Sequence, residues 1–377
     1  MEICTITCHR VYNYGASLQA FALQYYLESL GHKVEIIDYL PYYHQSRYNF
    51  FYIPLESNHY TLFSSNGFMR LVYGILKNLC IFKTWGRKKK FDDFTKSFLK
   101  LTSTHYETIE ELRDNPPIAD IYVAGSDQIW NTEMYNGKDP AYYLDFGNPS
   151  TKRISYAASI AVGKIGKGLE GVIRNRLSKF SQISVREASG VEIVGNLGIK
   201  AELVLDPVFL LEKREWLNMA AKSTQRPEKI KSRYILVYDF LHDDRIRMFV
   251  AKLKDQYGVL VVSINDYRPL NYVDVNINDA GPLEFLDLVA NADYIVSNSF
   301  HATAFSIILE KEFYVYPLMG QNNSSRMEDL LRGLGLEKRF NPSEIQKNIN
   351  YKIVKELLDN KRVKSTNFIN NSCFHDM

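Results

Sequence analysis

Four short polar clusters in this sequence carry residue types that could do chemistry: Asn13-Tyr14-Gly15, Gly125-Ser126-Asp127-Gln128-Ile129-Trp130-Asn131, Ser184-Val185-Arg186-Glu187 and Ser297-Asn298-Ser299-Phe300-His301. His301 suits acid–base work, because imidazole changes charge near neutral pH; the competing reading is a capping or core histidine. Arg186 offers a permanent cation with the fork geometry of a carboxylate or phosphate partner. Its competing reading is a salt bridge to Glu187 or Asp206, which the residues alone favour. Arg326, directly after Asn323-Ser324-Ser325, is a second candidate for an anion, set against an ordinary surface turn. Asn13 and Gly15 stand where backbone N–H groups can meet a sugar or phosphate, unless the glycine only serves the turn. Ser126 and Asp127 are candidates to orient a hydroxyl, with Asp127 as a base. Trp130 is either a stacking face for a sugar or a buried ring, and Asp206 before Pro207 reads as structural.

The elements that must position these residues follow from periodicity. Residues 2–7 read as a strand; Leu18, Phe21, Ala22, Tyr25 and Leu30 then recur at helical spacing, and Gly31 sits at the C-cap position. With a strand at 34–38 this is a βαβ unit, which implies a parallel sheet. Further strands are expected at 119–124, 153–157, 182–185 and 201–205. After a polar linker at 221–232 come strands at 234–239, 259–264, 294–297 and 313–316, with helices at 243–257, 282–292 and 302–309. The fold class is α/β, with two Rossmann-like doubly wound domains. The N-terminal domain covers 1–220 with a basic, aromatic insertion at about 39–100, and the C-terminal domain covers 233–340. A tail, 341–377, is left, whose packing back on the first domain the sequence leaves open. In such sheets ligands bind beyond the C-terminal strand ends, where all four clusters fall.

Composition narrows the classes. At 377 residues, 46% hydrophobic and 24% charged, the chain is globular rather than disordered. Its 46 Lys and Arg against 43 Asp and Glu give only +3, so it is not built to coat nucleic acid. The four cysteines are too scattered for a disulfide scaffold or zinc ribbon, and read as reduced thiols of a cytoplasmic protein. No basic n-region and no uncharged apolar run of about 18 residues is visible, so neither a signal peptide nor a membrane span is expected. P-loop, GxGxxG, HExxH and GxSxG patterns are missing from the sequence, which argues against nucleotide hydrolysis and a dinucleotide cofactor. Within the insertion, an amphipathic helix is expected from Phe68 to Lys77, running on to Phe82. Lys83 to Lys100 then holds seven Lys or Arg against Asp92 and Asp93. That pattern fits an interfacial anchor on an anionic membrane, or else a solvated helix face.

Taken in order, Asn-Tyr-Gly-Ala-x-Leu-Gln (13–19), Gly-Ser-Asp-Gln-x-Trp-Asn (125–131), Ser-Tyr-Ala-Ala-Ser (155–159), Val-Arg-Glu (185–187), Leu-Asp-Pro (205–207) and Ser-Phe-His-x-Thr-x-Phe-Ser (299–306) resemble the polysaccharide pyruvyl transferases. The resemblance runs from about residue 3 to about residue 335. It implies a GT-B-like pair of domains around a cleft. It also implies an enzyme that moves the enolpyruvyl carbons of phosphoenolpyruvate onto two sugar hydroxyls, forming a pyruvate ketal and releasing phosphate. No cofactor or metal is implied; phosphoenolpyruvate is the donor substrate. The expected acceptor is a glycan of surface polysaccharide assembly, in lipid-linked form, handled by a cytoplasmic protein in peripheral contact with the inner membrane surface. His301 falls on the family's functional histidine, which would protonate C3 of the donor, and Arg186 on the arginine thought to meet the donor.

Three positions depart from the pattern. Some members carry an arginine where this chain has Ser299, so the donor's anionic groups need another cation, Arg326 or Arg268. Ala302 and Ala161 stand where glycine is common in the family. Two other readings stay open: a glycosyltransferase of the same fold using a nucleotide sugar, and a non-catalytic glycan- or membrane-binding relative.

Overall fold

The computed structural model describes residues 1–45, 67–81, 85–223, 230, 232–265, 269–318 and 325–374. The first half of the chain supplies β1 (Glu2–Ile6), α1 (Tyr14–Ser29), β2 (Lys33–Tyr39), α2 (Tyr42–Gln45), α3 (Gly67–Ile81), α4 (Trp85–Phe98) and β3 (Leu101–Tyr106). It continues with α5 (Ile109–Asp114), β4 (Ile121–Ala124), β5 (Lys152–Ser155), α6 (Glu170–Leu177), β6 (Ser184–Val185), α7 (Ala188–Asn196) and β7 (Glu202–Leu203). After α8 (Lys213–Ala220) come β8 (Tyr234–Tyr238), α9 (Asp244–Tyr257), β9 (Leu260–Ile264), β10 (Val275–Ile277), α10 (Pro282–Asn291) and β11 (Tyr294–Ser297). The chain closes with α11 (Phe300–Ile308), β12 (Glu312–Val315), α12 (Ser325–Arg332) and α13 (Tyr351–Phe374).

Two five-stranded parallel sheets result, in the orders β3-β2-β1-β4-β5 and β10-β9-β8-β11-β12. Both repeat one pattern, the Rossmann-like winding expected from the sequence. The direction of winding reverses between β1 and β4 and again between β8 and β11. Those are the switch points at which doubly wound sheets open a crevice. Asn13 follows β1, Gly125–Asn131 follows β4, Asp239 and Phe240 follow β8, and Asn298–His301 follows β11, so the polar clusters converge by topology alone. The central strands β4, β8 and β11 are buried along their whole length, as strands covered on both faces must be.

The interface between the sheets is aromatic. Tyr14 stacks on Phe285 of α10 with ring centroids 4.7 Å apart, and its hydroxyl donates to the Ala280 carbonyl at 3.1 Å. Helix α1 is buried on nearly every side, from Tyr14 through Gln24 and at Leu27, because it lies between its own sheet and the second domain.

The insertion departs from expectation. Helix α3 forms, and Phe68, Leu71 and Ile75 on it are exposed. In α4, however, Phe91 and Phe94 join the core and the Arg87 guanidinium is buried over the Phe91 ring at 4.5 Å, donating to the Tyr12 carbonyl. Lys88 pairs with Asp92 at 2.6 Å and Lys90 with Asp279 of the second domain at 3.1 Å. In the helical part of the basic run Arg87, Lys88 and Lys90 are thus engaged within the protein, while Lys89 and Lys96 are exposed. Phe82 and Lys83 lie outside the described residues, as do the insertion at 46–66 and most of the linker.

Strands β3 and β10 were not expected. β3 is an edge strand whose Ser103, Thr104 and His105 are exposed, so it lacks the apolar alternation that marks a strand. The tail forms the long helix α13. Its Ser365 hydroxyl accepts from the Leu205 N–H at 2.9 Å, and Arg362 donates to the Phe209 carbonyl at 2.7 Å. Among the described residues, no helix is long and apolar enough to cross a membrane.

Candidate active site

At the first strand-to-helix turn, the Asn13 side chain caps α1 by accepting from the Gly15 and Ala16 N–H groups at 2.9 and 3.3 Å. Its amide oxygen thus serves the helix. Gly15 answers to a close approach rather than to turn geometry. A Cβ at this position would stand 1.9 Å from Nδ1 of His301, which arrives from the second domain on the first turn of α11. The imidazole lies directly on the backbone of the other domain's helix.

Behind that ring sits Asp206, fully buried. Its Oδ2 accepts from Arg186 at 2.6 Å and from the Ser126 hydroxyl at 3.2 Å, and stands 3.6 Å from Nε2 of His301. Oδ1 accepts from the Val208 N–H at 3.1 Å. Burial alone would push this carboxyl up, but the His301 ring and the Arg186 guanidinium outweigh it and hold the group well below the usual carboxylate range. Arg186 is equally buried; burial works against its charge, yet Asp206, Asp127 and Glu187 together keep it firmly protonated. Its guanidinium packs over the Phe300 ring at 4.6 Å, and its Nε and second terminal nitrogen find no hydrogen-bond partner among the described residues. Segments 126, 186, 206 and 301 thus share one charge network that joins both domains.

The cleft in front of His301 holds a cavity of about 310 Å³. Asn13, Asp127 and His44 line it from the first domain; Phe240, Ser299 and Arg326 line it from the second. Asp127 adopts φ +77°, a left-handed conformation that aspartate tolerates better than most residues, and its carboxylate lies 3.8 Å from Arg186. Burial, and then repulsion from Arg186, pushes the Arg326 guanidinium down to about 10. It lies 5.6 Å from the Phe300 ring on which Arg186 also rests. Burial pushes the His44 imidazole down to about 4, so that ring is neutral near pH 7; it is 2.7 Å from the Asn136 side-chain oxygen.

The sequence candidates therefore fall into three groups. His301, Asp127, Asn13, Ser299 and Arg326 line the cleft. Gly15, Ser126 and Arg186 stand beneath or behind His301: Ser126 and Arg186 touch Asp206, and Arg186 does not reach the cleft lining. Trp130 belongs to the core. It is buried, stacks on Tyr143 with centroids 5.6 Å apart and donates to the Tyr142 carbonyl at 2.9 Å, so no ring face remains for a sugar. Arg268 lies outside the described residues.

Three residues escaped the sequence reading. Asp206 looked structural but is the hub of the network. Phe240, 44% exposed at the cleft, and His44 each follow the C-terminal end of a strand, which was the available signal. Both alanine departures have local explanations. Ala161 has φ +54°, where glycine would be at ease, and Glu187 compensates by accepting from the Ile160 and Ala161 N–H groups at 2.6 and 2.9 Å. Ala302 sits in regular helix, where nothing requires glycine. Ser299 caps α11, its hydroxyl accepting from the Ala302 N–H at 3.4 Å.

Comparison with solved structures finds UDP-GlcNAc 2-epimerase from Neisseria meningitidis at 13% identity, covering 96% of this chain and 99% of that one, with a TM-score of 0.44. It also finds the Methanocaldococcus jannaschii UDP-GlcNAc 2-epimerase at 13% identity, 96% and 93% coverage and a TM-score of 0.48. The glycosyltransferase SnogD from Streptomyces nogalater matches at 13% identity, 97% and 95% coverage and a TM-score of 0.40. Comparison with curated proteins finds no match. The family model for polysaccharide pyruvyl transferase matches residues 13–317, from the Asn13 cap through Asp127, Arg186 and Asp206 to His301 and beyond. A match of that extent, running through the whole charge network, shows that the chain belongs to the polysaccharide pyruvyl transferase family.

Proposed function

We propose that the protein transfers the enolpyruvyl carbons of phosphoenolpyruvate to a glycan, forming a pyruvate ketal. The observation that carries this reading is the contact of His301 with Gly15 and Asp206 at the cleft: an acid–base group from one domain, oriented by a buried carboxylate of the other. His301 delivers a proton to C3 of the enol as one acceptor hydroxyl adds to C2. Phosphate leaves C2 as the second hydroxyl closes the ketal. The two hydroxyl protons balance the step, one replacing the proton given to C3 and one leaving as monohydrogen phosphate. Asp206 is the charge partner of the protonated ring, Arg186 and Ser126 hold Asp206, and Asp127 accepts a hydroxyl proton. Arg326 and the N-terminal turn of α11 meet the donor's anionic groups in place of the arginine lacking at Ser299.

This chemistry needs no cofactor, and among the described residues no cluster of His, Cys, Asp or Glu is suited to a metal. A lipid-linked acceptor and peripheral contact with the cytoplasmic membrane surface belong to the same reading; what supports the contact is the set of exposed apolar residues Phe68, Leu71, Ile75 and Trp85. The test is phosphate release from phosphoenolpyruvate with galactose- and mannose-type acceptors, paired with a phosphoenolpyruvate binding titration. Release that depends on acceptor supports the reading; no release together with no binding overturns it.

Phe240 replaces Trp130 as the stacking face. Its ring leans on Tyr238 at 4.6 Å, is 44% exposed and lines the cleft. Phe240→Ala is expected to raise the acceptor KM about tenfold, the scale of one lost ring contact, while the KM for phosphoenolpyruvate holds and Phe240→Tyr restores the acceptor KM. Equal changes in both constants would show that Phe240 does not contact the acceptor.

A further inference from the structure

Behind the cleft lies a second cavity, of about 180 Å³, between the Leu203–Asp206 segment, α12 and α13. Its wall toward the cleft is Phe300, and both Phe300 and Arg326 line the two cavities at once. Four cations line it: Arg186, Arg326, Lys361 and Lys364, against two carboxylates, Asp206 and Asp329. Asp206 is already engaged by Arg186, and Asp127 and Glu187 also act on both arginines, so the surplus positive charge of the cavity is that of Lys361 and Lys364. Arg186, with its side chain 1% exposed, has two nitrogens without hydrogen-bond partners among the described residues. A buried guanidinium with donors to spare is costly unless something accepts from them. Neither lysine stands in an ion pair within the described part of the chain, and Lys364 is exposed at the rim.

We propose that this rear cavity is a phosphate site: it takes a small tetrahedral dianion, with Arg186 and Arg326 at its inner end and Lys361 and Lys364 at its mouth. The proposal rests on the pyruvyl transfer reading for its purpose. The ketal forms where the acceptor enters, so the acceptor blocks the front of the cleft while phosphate is released near Arg326. The rear cavity, on the other side of the Phe300 ring and with Arg326 common to both cavities, gives the released phosphate a place apart from the acceptor. Arg326 lines both cavities and is the residue that changes hands. The site also predicts that free phosphate inhibits without competing with the acceptor.

The test is a calorimetric titration of the full chain with inorganic phosphate, without donor or acceptor, followed by the double variant Lys361→Met/Lys364→Met. Both lysines lie on the outer part of α13, half-buried or exposed, so folding should survive and is checked by the melting temperature. The double variant should weaken phosphate binding tenfold or more, about the worth of one charge-assisted hydrogen bond. Lys355→Met, an exposed lysine on the same helix outside the cavity, should leave it unchanged. No binding of phosphate to the native chain, equal binding by the double variant, or equal weakening by Lys355→Met would each overturn the proposal. Since no phosphoenolpyruvate is present, a chain that never consumed the donor could still pass, and an active transferase could still fail.

Discussion

Gly15→Ala is expected to reduce turnover as far as His301→Ala does, although residue 15 carries no functional group. The alanine methyl would stand 1.9 Å from Nδ1 and 2.1 Å from Cγ of His301, so the ring must leave its place against α1 and withdraw from Asp206. A general acid that loses its position forfeits the gain of positioned proton transfer, about 10²- to 10⁴-fold. The double variant Gly15→Ala/His301→Ala separates this account from a folding defect. Once the ring is gone the methyl has room, so the second substitution should add almost nothing to the loss of kcat. The melting temperature lost in Gly15→Ala should also largely return. Additive losses would mean that Gly15 acts on something other than His301.

Asp206→Asn is expected to have the largest effect on stability. The amide keeps the shape of the carboxylate but removes the nearest charge partner of the buried Arg186 guanidinium, and removing one partner of a buried pair costs about 3–5 kcal/mol. Chemical denaturation of the two proteins measures this difference. The pH dependence gives a second readout. The Asp206 carboxyl is depressed in the folded state, so its contribution is present above the unfolded value near 4 and is lost as pH falls from there toward the folded value. Native protein should therefore lose stability steeply below about pH 4, and Asp206→Asn should show a shallower acid limb. Equal stability of the two proteins at pH 7 would show that the network does not depend on this charge.

The sequence made the topology readable because each functional cluster follows a strand, and a doubly wound sheet sends such loops to one edge. Asp206 was obscure for a physical reason. Its partners at 126, 186 and 301 lie far off in sequence, and local signals around Asp206-Pro207 describe a turn, which is also present: Asp206 caps the short helical turn that follows. Gly15 looked like a turn glycine because nothing in its own neighbourhood announces a histidine some 286 residues on. The basic run hides contacts that its own sequence does not announce. Its lysines and arginine suggest a free surface until the Tyr14 and Phe91 rings are seen to cover Arg87, and Asp279 of the other domain to meet Lys90. Helix α13 was legible in principle. Val354, Leu358, Phe368 and Ile369 are buried at helical spacing, but the Asn and Lys residues between them hid the stripe.

The central claim is that His301 protonates C3 of phosphoenolpyruvate while two acceptor oxygens take C2. A ketal and an enolpyruvyl ether of the same sugar are isomers of equal mass, so the decisive measurement is the reaction run in D2O, with mass spectrometry and proton NMR of the product. One deuteron is expected in the new methyl group of a cyclic ketal, formed by the native protein and not detectably by His301→Ala. A product that keeps its methylene carbons and takes up no deuterium, or a deuterated ketal formed equally well without His301, would contradict it.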